Sequence, residues 1–159
     1  MLNEIDGSLE AFFRATVPLG AEDVDVSFEP PDRDWSAKLN RPTVNLFLWD
    51  IRRSTSRART GVEEVERDGH LVRRLALPRV ELRYLVTAWT ADHGDERALL
   101  SGLMRTILAH SEIPPSFVPE PLVSLPSMAM FIPRSGEDQI DVFKALEGQL
   151  KPGINLVVV

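Results

Sequence analysis

The chain has 159 residues and a formal net charge of -6, with 43% hydrophobic and 26% charged residues. These values predict a single soluble globular domain spanning residues 1–159. The absence of cysteine excludes a disulfide framework and thiolate chemistry. No apolar run approaches the roughly 18 residues of a membrane span, and the N-terminus lacks the pattern of a signal peptide. We therefore expect a cytoplasmic protein, or one released without a standard secretion signal.

Charge is distributed unevenly along the chain. Ile51 to Tyr84 contains nine arginines and five acidic residues, a net charge of +4. The remainder contains nine basic and nineteen acidic residues, a net charge of -10. The overall acidity argues against a general nucleic-acid binder. The basic segment is either a solvated hairpin or a contact arm for an acidic partner, such as another copy of the chain.

The first elements follow from the spacing of apolar residues. A helical period runs through Leu2, Ile5, Leu9, Phe12, Phe13 and Val17. Asn3 is the predicted N-cap, with Asp6 three residues later, and Pro18 to Gly20 ends the helix. Residues 24–28 alternate as in a half-buried strand. Residues 32–40 fit either a helical turn or a loop.

Thr43 to Ile51 is a predicted strand because it is rich in β-branched and aromatic residues. Alternation places Val44, Leu46 and Leu48 on one face. The other face then carries Phe47, Trp49 and Ile51. A strand that is apolar on both faces is usually covered on both. We expect helices on one side and further elements, or another chain, on the other.

A loop and a hairpin follow this strand. Residues 52–60, "RRSTSRART", have no apolar periodicity and predict a loop. Residues 61–77 predict a β-hairpin, because Asp68-Gly69 is a favoured tight-turn pair. The hairpin gains little by folding alone, so it either pairs with the main sheet or extends as an arm. Arg79 to Ala91 is the longest predicted strand; it is solvated at one end, where Glu81 and Arg83 lie, and buried at the other, where Leu85 and Trp89 lie.

The last third of the chain predicts two helices and two strands. A helix begins at Asp92 or Gly94, and its apolar stripe contains Leu99, Leu100, Leu103, Met104, Ile107 and Leu108. Residues 113–126 contain five prolines and predict an extended connection. After a short strand at residues 127–132, Ser135 and Asp138 predict a capped helix start. "INLVVV" closes the chain as a strand.

This order of elements predicts an α+β fold. One mainly antiparallel or mixed sheet is packed by about three helices, and a charged β-hairpin projects as an arm.

Residues with catalytic potential are scattered. His70, His93 and His110 lack metal-ligand spacing and fit surface or capping roles. Asp32 and Asp34 stand beside prolines, where solvation is the usual state of a carboxylate. No nucleophile elbow, phosphate-binding glycine loop or dinucleotide fingerprint is present. We expect no catalytic residue, metal or cofactor. An enzyme using Asp32, Asp34 or His70 is the weakest hypothesis.

Other polar and aromatic groups allow a binding role. Ser54, Thr55 and Ser56 lie among arginines and could contact phosphate, although such loops are common. The tryptophans at positions 35, 49 and 89 could form an aromatic platform, but packing in a core or a subunit interface is the more usual role.

Several long stretches resemble a known family. They are "VSFEPPDRDWSAKLNRPTVNLFLWDIRR" (residues 26–53) and "RVELRYLVTAWTADHGDERALLSGLMRTILAH" (residues 79–110), together with "MLNEIDGSLEAFFRA" and "INLVVV". They are similar to cap proteins of extracellular contractile injection systems, the tail terminators of antifeeding-prophage-like particles. The resemblance covers essentially the whole chain and implies a fold like that of phage tail terminators.

The resemblance implies a structural role. A six-fold ring would sit at the end of the particle away from the baseplate, stop growth of the inner tube and join the tube to the sheath. Its partners would be the chain itself, the inner-tube protein and the sheath protein, in a particle assembled in the cytoplasm and released by lysis. No catalytic residue or cofactor is implied.

A basic arm on an acidic body would suit a closing ring. The predicted subunit or partner interface comprises Arg52, Arg53, Arg57, Arg59, Arg73, Arg74, Trp49, Val157, Val158 and Val159. The apolar closing strand is included because we expect a partner chain, or further residues, to cover it. The alternative function is a module that binds an anionic ligand, a nucleotide or nucleic acid, through the arginine-rich segment 52–83.

Overall fold

The computed structural model describes residues 1–17, 23–54, 62–67, 69–75, 78–123, 127–134 and 139–159. Its α-helices are α1 (Leu2–Thr16), α2 (Arg33–Ala37), α3 (His93–Ala109), α4 (Glu120–Val123) and α5 (Gln139–Ala145). Its strands are β1 (Asp25–Ser27), β2 (Thr43–Arg53), β3 (Val62–Arg67), β4 (His70–Leu75), β5 (Val80–Trp89), β6 (Met130–Phe131) and β7 (Gly153–Val158). The predicted α+β fold is confirmed.

The main sheet has five strands in the order β1-β2-β5-β7-β6. β1 runs parallel to β2, and the other neighbours are antiparallel, so the sheet is mixed as predicted. β2 and β5 form its spine because they are the two longest strands and pair along their whole lengths. The edge strands have only three and two residues, so β1 pairs with three residues of β2 and β6 pairs with two residues of β7.

Helix α1 begins one residue before its predicted cap. Met1 is the N-cap, without a side-chain capping bond, and the Ile5 amide donates to its carbonyl at 3.1 Å. Asn3 is therefore inside the first turn, and the prediction that it caps the helix was wrong. The Met1 ammonium instead contacts Glu4 at 2.8 Å. Most of the predicted apolar stripe is confirmed, because Leu9, Phe12 and Phe13 are fully buried and Ile5 and Val17 are nearly so, but Leu2 is exposed.

The core lies between α1, α3 and one face of the sheet. β2, β5 and β7 contribute buried residues from alternate positions, while the helices contribute an aromatic and aliphatic layer. Phe12 is central to that layer, since its ring lies 5.5 Å from Phe13, 5.1 Å from His110 and 5.6 Å from Phe117 between centroids. Burial of this layer provides the main stabilising free energy of the fold.

The opposite face of the sheet is covered at one end by α2 and neighbouring segments. Residues 32–40, which fitted either a turn or a loop, contain α2, and Asp32 caps it by accepting from the Trp35 amide at 2.7 Å. The Trp35 and Trp89 rings meet edge to face at 5.4 Å. Lys151 lies over Trp89 at 4.5 Å and pairs with the buried Glu96 at 2.5 Å. This end therefore obtains its second cover from the chain itself.

Two predictions for the later elements need correction. Asp92 caps α3, but only part of the predicted stripe is buried, because Met104 and Leu108 face solvent while Leu103 and Ile107 enter the core. The proline-rich connection is not simply extended. It forms a 3-10 helix at Pro115–Phe117 and the short α4, since proline is tolerated in a first helical turn. The predicted helix start at Ser135 and Asp138 lies outside the described residues.

Candidate assembly surface

A β-bulge changes which residues of β2 share a face. Leu48 pairs with Tyr84 and Asp50 pairs with Arg83, so Trp49 is the extra residue between two consecutive pairs. A one-residue bulge reverses the alternation beyond it. Ile51 therefore pairs with Leu82 on the helix-covered face. The prediction that Ile51 shares a face with Phe47 and Trp49 was wrong for this reason.

The bulge gathers a charged cluster at the far end of β2 and β5. The Arg83 guanidinium donates to Glu81 at 3.2 Å and lies 3.9 Å from Asp50, which also pairs with Arg52. The hydroxyl of the buried Ser54 donates to Glu81 at 3.0 Å. Its amide donates to the Arg79 carbonyl at 2.8 Å. We call Asp50, Arg52, Ser54, Glu81 and Arg83 the clamp, because they join the two strands from which the hairpin segment departs.

The predicted interface arginines occupy three kinds of position. The prediction that Arg52 and Arg53 belong to a loop was wrong. β2 continues through both residues and pairs them with Glu81 and Val80. Arg73 lies on β4 and forms an exposed ion pair with Glu64 at 2.9 Å. Arg57 and Arg59 lie outside the described residues, as does the side chain of Arg74. The structure therefore brings Arg52, but neither Arg53 nor Arg73, into the clamp.

β3 and β4 form a two-stranded ribbon that pairs with no described strand of the main sheet. We call this ribbon the arm. The prediction of a hairpin is confirmed, and Gly69 has a φ of 77° at its turn, a conformation that glycine adopts without strain. Large apolar side chains on the arm are exposed: Val62, Leu71, Val72 and Leu75. Ile51 and Val80 are also exposed at the sheet end beside the clamp.

The closing strand does not belong to this surface. Val157 and Val158 are almost completely buried, because β7 is paired with β5 on one side and with β6 on the other. Val159 also exchanges two backbone hydrogen bonds with Ala129, at 2.9 and 3.1 Å. The expectation that Val157 and Val158 meet a partner is therefore corrected: their side chains are covered by the chain's own elements.

Trp49 differs from the other two tryptophans. Trp35 and Trp89 form a pair at the opposite end of the sheet, so the three rings make no common platform. Trp49 borders a small void with Arg83, Pro133 and Asn155, and its buried indole N–H has no acceptor among the residues that the structure describes. Its placement at the bulge leaves it beside the clamp, and its role in an interface stays a prediction.

The residues that were considered as catalytic candidates either have structural roles or are exposed to solvent. Asp32 caps α2, Asp34 and His70 are exposed, and His110 packs against Phe12 with its Nδ1 2.9 Å from the Thr106 carbonyl. In the part of the chain that the structure describes, no three His, Asp or Glu residues are grouped to hold a metal ion. None of the described helices is long and apolar enough to span a membrane.

One groove on the surface lies away from the arginine-rich segment. It has a volume of about 560 Å³ and is lined by α2, the turn before α3 and the segment before β7, with both acidic and basic side chains such as Asp95 and Arg33. None of its lining residues belongs to the clamp or the arm. The groove therefore provides no pocket for an anion held by segment 52–83.

Tyr84 connects the sheet to α1 beneath the clamp. Its ring is fully buried, and its hydroxyl donates to Asp6 at 2.7 Å. Burial raises the pKa of the Asp6 carboxyl above its ordinary value, although the hydrogen bond from Tyr84 opposes this shift. Burial also raises the pKa of Tyr84, and the neighbouring carboxylate raises it further. The phenol therefore stays neutral at physiological pH.

The raised pKa of Asp6 predicts a pH dependence of stability. A folded-state carboxyl pKa above its unfolded value contributes stability below the unfolded pKa, and this contribution is lost as pH rises through the folded pKa. Asp6→Asn keeps an oxygen acceptor for Tyr84 but has no charge. We expect this variant to be as stable as the parent chain, or slightly more stable, at pH 7, with the advantage vanishing near pH 4. Urea denaturation across that range measures the difference; lower stability at pH 7 would contradict the prediction.

Sequence reasoning did not bring the clamp residues together. Glu81 and Arg83 were placed on the solvated end of a strand, but they are largely buried and bonded to each other. Asp50 received no role, and Ser54 was considered only for contact with phosphate. The two-residue spacing of Glu81 and Arg83 was visible, but the bulge that turns Asp50 toward them left no signal in the sequence.

Comparison with known families identifies the chain. The model of the Pvc16 N-terminal domain family matches residues 4–159. The chain belongs to the Pvc16 N-terminal domain family. The resemblance drawn from residues 26–53 and 79–110 is thereby confirmed. A search among curated proteins finds no match.

The fold is also similar to that of a solved assembly component. One matching structure is an extracellular contractile injection system, described as the PVC sheath/tube terminator in the extended state. It has a TM-score of 0.67 and 16% identity, and the match covers 99% of this chain and 54% of that one. The Pvc16-family chain thus spans about half the length of that terminator. At this identity the likeness establishes a shared fold.

Proposed function

We propose that this chain is a structural subunit that terminates the tube and sheath of an extracellular contractile injection system. The observation that carries the proposal is its Pvc16-family membership over residues 4–159, with a terminator fold matched along nearly the whole chain. The arm gives this role a physical basis, because it presents charged and exposed apolar groups to a neighbouring chain.

In the proposed assembly, copies of the chain form a ring, taken to be six-fold, at the baseplate-distal end of the particle. The ring contacts the last layers of inner-tube and sheath proteins and prevents further addition. It needs no catalytic residue and no cofactor. Assembly takes place in the cytoplasm, and lysis releases the finished particle.

Removal of the gene tests the terminator role. We expect particles without this protein to have broadly distributed or abnormal lengths, because nothing ends polymerisation of the tube and sheath. Electron microscopy of purified particles measures the length distribution, and a plasmid copy of the gene is the control that restores it. Capped particles of normal, uniform length from the deletion strain would refute the proposal.

The alternative, an anion-binding module, receives less support. Arg52, Arg73 and Arg83 are each bonded to carboxylates of the chain itself, so their charges are already compensated. Binding of nucleotide or nucleic acid at low salt remains the measurement that would favour it. Salt-sensitive, tight binding to the purified chain would move the assignment toward this alternative.

A further inference from the structure

Each strand of the arm has an open edge. Among the described residues, β3 and β4 pair only with one another, so each leaves one line of backbone N–H and C=O groups without a strand partner. Such an edge accepts a strand from another chain by adding to the same ladder. Both strands have six residues, which is long enough for an extended contact.

Exposed apolar groups on the arm favour a protein partner. Leu71 and Leu75 are 74% and 78% exposed, and Val62 is 61% exposed. An isolated two-stranded ribbon is only marginally stable in water, because it buries too little apolar surface. Additional strands would bury these side chains against cross-strand neighbours and would stabilise the ribbon.

The two strands of the arm carry opposite charges. β3 contains three glutamates and one arginine, a net charge of -2, whereas β4 contains two arginines and a neutral histidine, a net charge of +2. Their register pairs Glu63 with Arg74 and Glu64 with Arg73. The second pair forms an ion pair at 2.9 Å. The arm is thus almost neutral overall but strongly polar from one edge to the other.

We propose that arms of neighbouring copies pair edge to edge, with β4 of one copy beside β3 of the next. This arrangement repeats the opposite-charge contact found inside each arm. The alternatives, β3 beside β3 or β4 beside β4, place like charges on facing strands and are destabilised. β-strands of the two arms then alternate in direction, as antiparallel pairing requires.

The proposed contact joins two different edges, so it is heterologous. Each copy accepts one neighbour at β3 and offers β4 to the next, and a series of such contacts closes when the rotation per copy permits a ring. The inference rests on the proposed self-assembly but is independent of the terminator role. It also identifies the partner of the arm as a second copy of this chain.

Single-cysteine variants test the contact directly, because the chain has no native cysteine. Val62 and Leu75 face each other in the register of the arm. Rotation about an axis parallel to the strands keeps them at the same height in adjacent arms. We expect a mixture of Val62→Cys and Leu75→Cys chains to form disulfide-linked heterodimers on mild oxidation, and neither variant alone to form comparable homodimers, because a disulfide joins only adjacent strands. Ser101→Cys, exposed on α3, replaces Val62→Cys in the control mixture.

A charge exchange provides a second, independent measurement. The variant Glu63→Arg, Glu64→Arg, Arg73→Glu, Arg74→Glu preserves the pairing within its own arm and the net charge. It should associate with itself as the parent chain does. In a mixture with differently tagged parent chains, every mixed junction brings like charges together. We expect co-purification of the two kinds to fall about tenfold relative to parent with parent, since two favourable pairs become unfavourable.

The possible outcomes separate the hypotheses. Three results would each overturn the edge-to-edge contact. They are efficient mixing of parent and exchanged chains, homodimers formed by Val62→Cys alone, and chains that stay monomeric at every concentration. Selective heterodimers with self-sorting support it. Because these measurements use the purified chain and no particle, their failure leaves the terminator proposal to be decided by particle length alone.

Discussion

Val158→Asp is expected to unfold the isolated chain, with no partner protein present. Val158 is 1% exposed and lies between Leu82 of β5 and Met130 of β6. A carboxylate there would lose its hydration without gaining a compensating partner, at a cost of several kcal/mol. That cost is comparable with the whole stability of an ordinary domain, about 5–15 kcal/mol. Circular dichroism and thermal denaturation would report the loss of cooperative folding.

A matched control for this variant lies on the neighbouring strand. Val80 is 44% exposed at the open end of β5, so Val80→Asp should change the free energy of unfolding by no more than about 0.5 kcal/mol. The comparison separates a core role for β7 from an interface role. A Val158→Asp chain that folds normally and loses only its association with other subunits would restore the original assignment of this strand to an interface.

Phe12→Ala is expected to cause the second large loss of stability. Phe12 is fully buried and contacts Phe13, His110 and Phe117 with its ring. Truncation removes most of this buried surface and leaves a cavity that α1 and α3 cannot close. Comparable substitutions cost about 3–5 kcal/mol. Urea denaturation of purified variants, followed by far-UV circular dichroism, measures the change.

The control for Phe12→Ala is Leu108→Ala on α3. Leu108 belongs to the stripe predicted from periodicity but is 69% exposed, so its truncation should cost less than about 0.5 kcal/mol. If both variants lost several kcal/mol, Leu108 would have to contribute to a buried surface, and the described packing of α3 would be wrong. If neither did, Phe12 would not be central to the core.

The clamp and the arm differ in how far their charged and apolar groups are buried. The clamp is partly buried and is held by Ser54, Glu81 and Arg83 within one subunit, so its charges fix the end of the sheet. The arm begins beyond that end and leaves its apolar and charged groups exposed. In the assembly proposed above, the arm would present a defined edge to a neighbouring copy, while the core of each subunit stays independent of assembly.

Local sequence patterns were sufficient for much of the fold. The Asp68-Gly69 pair predicted the hairpin, because a tight turn with positive φ depends on the residues at the turn itself. Helical spacing in α1 predicted its buried positions, Ile5, Leu9, Phe12, Phe13 and Val17, although Leu2 of the same stripe is exposed. These features are decided within one element, over a few residues, and they were predicted correctly for that reason.

Contacts between distant parts of the chain could not be predicted in the same way. The apolar ending of β7 indicated that something covers it, but only the pairing with β5 and β6 shows that the cover is internal. The spacing on α3 predicted a six-residue stripe, and the position of the neighbouring elements decided that Leu108 stays outside. Periodicity specifies a face, whereas burial depends on what the rest of the chain brings to it.

The amino-acid sequence by itself determined the family, the α+β class, the hairpin and the uneven distribution of charge. The tertiary structure decided the faces of β2 beyond Trp49, the composition of the clamp and the open edges of the arm. The physical reason is the range of the interactions involved. Turns and periodicities arise from neighbouring residues, but a bulge, a buried ion pair and an unpaired edge exist only relative to strands that the chain supplies elsewhere.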